Sequence, residues 1–153
     1  MSIVVIGLGK LTETIKALEK SAGKNVRSAY IAGGKLVEST AKKSIMNVSM
    51  GTYVTRYREG GASKQHIAAA PGNAPNNDTG RLVSSINTEV EEEWVVVGTT
   101  LEYGKHLEFG TENMNARPWL IPALNANNDM IIKLHRAAIA KSIKEIGNFG
   151  LKI

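Results

Sequence analysis

The sequence predicts an α+β fold: a small antiparallel β-sheet packed against a long N-terminal helix and a long C-terminal helix, with an extended loop between. Three observations lead there. Two stretches near the ends carry apolar residues at three- and four-residue steps, the spacing of one helix face. Residues 86–100 alternate apolar and polar side chains around a charged turn, the pattern of a β-hairpin. Residues 47–77 are broken by Gly, Pro and Asn and follow neither period. A chain of 153 residues fits one α+β domain spanning 1–153.

Each element has its own local signal. Ser2 to Ile6 is a β-branched run closed by Gly7 and Gly9, which predicts a strand ending in a turn. From Leu11, the positions Ile15, Leu18, Ala22, Val26, Ala29, Gly33, Leu36, Thr40 and Ser44 trace one face of a long helix. Gly33-Gly34 interrupts that face and marks a kink, a break or a close packing contact. Residues 47–77 read as an extended loop or arm that orders on assembly, with a short strand possible at Tyr53–Tyr57. Asp78 or Thr79 suits the N-cap of one helical turn through Ser84 or Ser85. Ile86, Thr88 and Val90 form one strand, Glu91 to Glu93 the turn, and Trp94 to Gly98 the next strand. Tyr103, Leu107 and Phe109 have helical spacing, and the two prolines of 117–122 suit an edge strand or the approach to a helix. Leu124 to Ile146 is the second long helix, with Gly147 and Gly150 where its C-cap would fall.

Composition excludes several classes of function. Cysteine is absent, which removes disulfides, thiolate metal sites and cysteine nucleophiles together. Aromatic residues are only 5% of the chain, so the core must come from Ile, Leu, Val and Ala. No apolar run approaches the roughly 20 residues that span a bilayer, and the N-terminus lacks the pattern of a signal peptide, so the expectation is a soluble intracellular protein without a membrane partner. Gly7-Leu8-Gly9-Lys10 sits where a phosphate-binding loop would, but fails its spacing: Val4 and Leu11 occupy the outer positions. His66, His106 and His135 are scattered and no pair has metal-ligand spacing, so no metal and no cofactor are expected. No acid, base and nucleophile cluster is visible, so no catalytic residue is expected either and the chain does not read as an enzyme.

The net charge of +5 is unevenly spread. Residues 1–45 carry +5, 46–80 carry +1, 81–112 carry −5 and 113–153 carry +4. Two basic ends flank an acidic middle. Solvated lysine faces on the long helices explain this, as would phosphate binding in a small basic nucleic-acid-binding protein. A third account is a basic face on one subunit meeting an acidic face on the next.

The second half carries a resemblance. Asn73-Ala74-Pro75, then Asp78-Thr79-Gly80-Arg81-Leu82 and Ser84-Ser85-Ile86, resembles the "AP…DTG-x-L-x-x-S-I" block of the tail-completion, or head–tail joining, minor structural proteins of tailed bacteriophages. It continues through Val97-Gly98-Thr99 and Glu102-Tyr103-Gly104-Lys105-His106-Leu107-Glu108-Phe109-Gly110-Thr111. It ends at Ala116-Arg117-Pro118-Trp119-Leu120-Ile121-Pro122-Ala123-Leu124, similar to the family's "A-x-P-F-L-x-P-A" segment. Gly104 stands where the family usually has Ala, Trp119 where it has Phe, and residues 47–72 are an added stretch.

What the resemblance implies is architectural. It predicts a homo-oligomeric ring, commonly a hexamer, at the head-proximal end of the tail tube, joining tail to head connector and letting DNA pass. The implied partners are copies of itself, the tail tube protein and a head-closure or connector protein, with transient non-specific contact to DNA. The location is the virion neck, assembled in the host cytoplasm. A tail terminator or other neck-ring component is the alternative. The matching positions Asp78, Thr79, Gly80, Arg81, Leu82, Tyr103, Glu108, Phe109, Gly110, Thr111, Arg117, Pro118, Trp119 and Pro122 are the expected interface. Residues 47–77 are expected to order against a neighbouring subunit, by adding a strand to an exposed sheet edge.

Overall fold

Long apolar periodicity makes long helices, and two of them dominate the chain. The computed structural model describes residues 8–58, 61–91 and 94–147. The strand expected at Ser2–Ile6, together with Gly7, Glu92, Glu93 and Gly150, lies outside the described residues. The order is α1 (Leu8–Met46), β1 (Gly51–Arg58), β2 (Gly61–Ala69), α2 (Arg81–Ser85), β3 (Ile86–Val90), β4 (Val95–Thr99), α3 (Glu102–Phe109) and α4 (Ile121–Gly147). β1–β2 and β3–β4 are two separate antiparallel pairs, so the fold is α+β.

α1 is the spine. At 1.5 Å per residue it runs about 58 Å, against about 40 Å for α4. The two lie antiparallel: Asn127 Nδ2 donates to Thr40 Oγ1 at 2.9 Å near one end, and Asn25 Nδ2 to Ser142 Oγ at 3.0 Å near the other. Ser21, Asn25, Ser142 and Glu145 close that far end as a polar clamp, Ser21 and Asn25 both donating to the Glu145 carboxylate. Those hydrogen bonds, Ser21 first, hold the Glu145 carboxyl below its ordinary range.

The expected break at Gly33-Gly34 is a packing contact instead, and the helix runs straight through it. The two glycines face different neighbours. A Cβ on Gly33 would stand 3.3 Å from Ile131 of α4, while one on Gly34 would stand 2.7 Å from Val95 and 2.8 Å from Thr88 of the β3–β4 hairpin. One helix is thus buried on two sides. Between those sides lies the core of Val37, Ala41, Ile45, Leu82, Ile86, Trp119 and Ala123. The buried line is Val37, Ala41 and Ile45 rather than the adjacent Leu36, Thr40 and Ser44 expected from spacing, which are half-buried. A 3.6-residue period drifts across a straight helix, and the second layer pulls the buried stripe one residue over. Ile15 and Leu18, on the turns that precede the Ser21 clamp, are exposed.

Three local expectations are corrected. β1 and β2 pair as a hairpin where an extended loop with at most a short strand at Tyr53–Tyr57 was expected, because the β-branched and aromatic residues of 52–56 pair in register with 64–68. The α2 N-cap position is Gly80, at φ 78°, not Asp78 or Thr79; Asn77 Oδ1 accepts from the Gly80 N–H at 2.9 Å, freeing Asp78 for other partners. Gly9, expected in a turn ahead of the helix, already lies inside α1; of the two readings of 117–122, the approach to a helix holds, since 117–120 lead into α4 at Ile121, and the edge strand does not form.

Glu38 couples the spine to the second hairpin. Its carboxylate accepts from Lys35 and Lys42 at 2.7 Å each and from Thr88 Oγ1 at 2.6 Å. These contacts, Lys35 first, hold its carboxyl down to about 2 from an ordinary 4.5.

Three substitutions test this account of the helices. Gly34→Ala is expected to destabilise by about 1–2 kcal/mol in urea unfolding, overpacking outweighing the gain in helix propensity. Gly23→Ala, with nothing within 4 Å of the new Cβ, is expected to stabilise by up to about 1 kcal/mol. A depressed carboxyl stabilises above its unfolded value, so the Glu38 contribution is whole above pH 4.5 and is lost as pH falls toward about 2. The difference in melting temperature between wild type and Glu38→Gln is therefore expected to shrink over that window.

Candidate interaction surface

The connector from α3 to α4 ends on the apolar Trp119 and Leu120, whose backbone N–H groups turn inward. Glu108, buried on α3, receives them. Its Oε2 accepts from the N–H of Trp119 at 2.7 Å and of Leu120 at 2.9 Å, and its Oε1 from Ile121 at 2.9 Å. A carboxylate from another helix thus caps the start of α4, where the orphan donors and the helix dipole both favour negative charge. Pro122, in the first turn, has no N–H to satisfy. Trp119 adds a second tie, donating from Nε1 to the Gly104 carbonyl at 3.1 Å. Gly104 lies tight against the core: a Cβ there would meet Thr99 at 2.5 Å and Leu82 at 3.4 Å. Gly110 ends α3 at φ 76°, where a side chain would run into the Met114 carbonyl and Ala116.

The hairpin is fastened to this unit at its base. Asn76 behaves like an extra strand residue: its Oδ1 accepts from Ser49 N–H at 2.7 Å, and its Nδ2 donates to Ser49 and Ile67 carbonyls at 2.9 and 3.0 Å. Arg117 Nε donates to the Ala69 carbonyl at 2.7 Å. Asp78, with 12% of its side chain exposed, holds Arg56 at 2.8 Å, with Lys64 at 3.6 Å and His66 at 3.8 Å from the same carboxylate.

Between the hairpin, the 75–82 segment and α3 lies a cleft of about 450 Å³. It gathers Asp78, Thr79, Gly80, Arg81, Leu82, Tyr103 and Arg117 of the expected surface, and adds Arg56 and His66 from the hairpin. Arg56, Arg81 and Arg117 outnumber the one carboxylate, which is already ion-paired, so the cleft favours acidic groups on a partner. The remaining expected residues lie elsewhere. Glu108 and Trp119 are buried fasteners, Gly110 terminates a helix, Pro118 lies in the connector and Pro122 in the first turn of α4. Phe109 and Thr111 are exposed away from the cleft, Phe109 with 66% of its surface open.

Sequence reasoning missed Arg56, His66 and Asn76. Each acts through a partner distant in the chain, and only the β1–β2 register aligns Arg56 and Lys64 on the face that meets Asp78. Further apolar surface is open on the hairpin, where Tyr53 is 71% and Tyr57 86% exposed, and at Trp94 beside β4. Among the described residues no group of three His, Asp or Glu forms a metal site, and no helix is long and apolar enough to cross a membrane. No protein-family model, no curated protein and no solved structure matches the chain.

Removing the Glu108 carboxylate leaves three buried or half-buried N–H groups without their acceptor. Glu108→Ala is therefore expected to cost about 2–4 kcal/mol, read as a lowered urea midpoint, with the start of α4 exchanging amide hydrogens first.

Proposed function

We propose that this chain is a structural protein of the phage head–tail interface, a tail-completion subunit. In this reading it forms a homo-oligomeric ring at the head-proximal end of the tail tube, joins the tail to the head connector and lets DNA pass. The reading is non-enzymatic. The observation that carries it is spatial. The three sequence blocks of the resemblance, which are separated along the chain, interlock as one unit: Leu82 of the first, Gly104 and Glu108 of the second and Trp119 of the third touch or hydrogen-bond one another. That the blocks support one another's geometry is a reason to read them together. Charge also favours a head-to-tail contact, with acidic 81–112 available to the basic segments of a neighbour. In the same reading the arginine-lined cleft faces an acidic surface of the tube or connector protein.

The test is the mass of the purified protein, alone and mixed with tail tubes from the phage or prophage that encodes it, by light scattering with electron microscopy. A closed ring capping one end of the tube is the expected result. A protein that ignores both tube and connector overturns the reading; if it instead binds duplex DNA with steep salt dependence, the nucleic-acid alternative replaces it.

A further inference from the structure

We infer that the open edge of β1 in one copy adds to the open edge of β4 in the next, seating Tyr53 in the groove between α1 and α4. The inference rests on the ring reading only in requiring that copies of this chain meet head to tail.

Both edges and their phase can be derived. In an antiparallel pair, hydrogen-bonded and non-hydrogen-bonded residue pairs alternate, and members of the second kind turn their N–H and C=O outward. Glu91 N–H donates to the Trp94 carbonyl, so 89/96 and 87/98 are the bonded pairs of β3–β4, and Val95 and Val97 point their backbone groups to the open side. Ala70 N–H donates to the Met50 carbonyl, so by the same alternation Tyr53 and Thr55 point theirs to the open side of β1. Each edge therefore offers two consecutive outward residues, spaced to match.

Joining them antiparallel sets Tyr53 opposite Val97 and Thr55 opposite Val95, and residues directly opposite project to the same face. That face is the one turned toward α1, since Val95 and Val97 pack over Gly34. There the groove, about 320 Å³, runs between β4, α1 and α4, lined by Tyr30, Gly33, Gly34, Leu124, Ile131 and His135 among others. Its surface is apolar except for one acceptor. His135 Nδ1 lies 2.9 Å from the Ile131 carbonyl, which can only accept, so Nδ1 carries a proton; in that tautomer Nε2 is an acceptor, and that buried atom has no partner among the described residues. A phenol supplies what the groove lacks: an apolar ring for its walls and one O–H donor.

Charge is compatible with this register. It puts Val54 beside Val96 on the outer face and Arg56 beside the exposed Trp94, one strand away from Glu89 and Glu91. The hairpin 51–69 carries +2, and the 81–112 stretch that receives it −5.

The chain has no cysteine, so a cross-link reads the register directly. The double variant Val54→Cys, Val96→Cys, oxidised with and without tail tubes, is expected to give a ladder of covalent multimers. A mixture of the two single variants is expected to stop at dimers, because each copy then carries a single cysteine and can form one disulfide. Tyr53→Ala is expected to leave the monomer's melting unchanged and to weaken self-association about tenfold or more, with Tyr53→Phe between it and wild type. Rings on tubes without a ladder overturn this contact and leave the tail reading standing. A ladder from a protein that ignores tubes keeps the contact and overturns the tail reading. Absence of both rings and ladder overturns both.

Discussion

The carboxylate of Glu108 is the interaction on which the rest of the structure depends. Three N–H groups from the end of a connector and the start of a helix converge on two oxygens. No cation shares that carboxylate among the described residues; the backbone donors and the helix dipole balance it. The consequence reaches well beyond the cap. Fixing Trp119 places its indole on the Gly104 carbonyl and against the core. Fixing the first turn of α4 also sets the rotation of that helix, and with it the face that meets Gly33. A charge without its cation is stable here because every donor around it is pinned by secondary structure, so the site needs no rearrangement to satisfy it.

The second constraint is steric. A helix that must bury two faces needs small residues where its neighbours come closest, and Gly33-Gly34 meets α4 and the β3–β4 hairpin within one turn. Glycine weakens an isolated helix, yet here it permits two contacts that larger residues would forbid. Glu38, one turn on, adds the polar counterpart by linking the helix to Thr88. The energetic loss is local and the packing gained is long-range.

What remains uncovered follows from the same architecture. Among the described residues, α1 takes one sheet on one side and one helix on the other, leaving β4 with an open edge and an apolar groove beside it. The β1–β2 hairpin is fastened by Asn76 and Arg117 near its base and by Asp78 further along, at Arg56 and Lys64, and its β1 edge is open among the described residues. Open edges are aggregation hazards unless something occupies them. A protein that assembles head to tail resolves that hazard by giving each edge to a neighbour, and the tyrosine-bearing strand and imidazole-bearing groove fit that arrangement.

The amino-acid sequence by itself determined the α+β class, the two long helices, the β3–β4 hairpin and the short α3, because each depends on local periodicity and turn residues. It also marked the segments that matter, from Asp78 through Trp119. It did not determine their roles. Glu108 read as an interface candidate and Trp119 as a core anchor or interface residue; both are buried fasteners, since only the tertiary fold brings the connector's N–H groups to α3. Residues 51–69 read as a loop because Gly, Ala and Ser dilute the alternation of β2, and pairing with β1 decides the strand. The buried stripe of α1 moved one residue because two layers, not one, press on it. Local chemistry sets which elements form; contacts distant in sequence decide which side of each is inside, and so which residues are left to meet a partner.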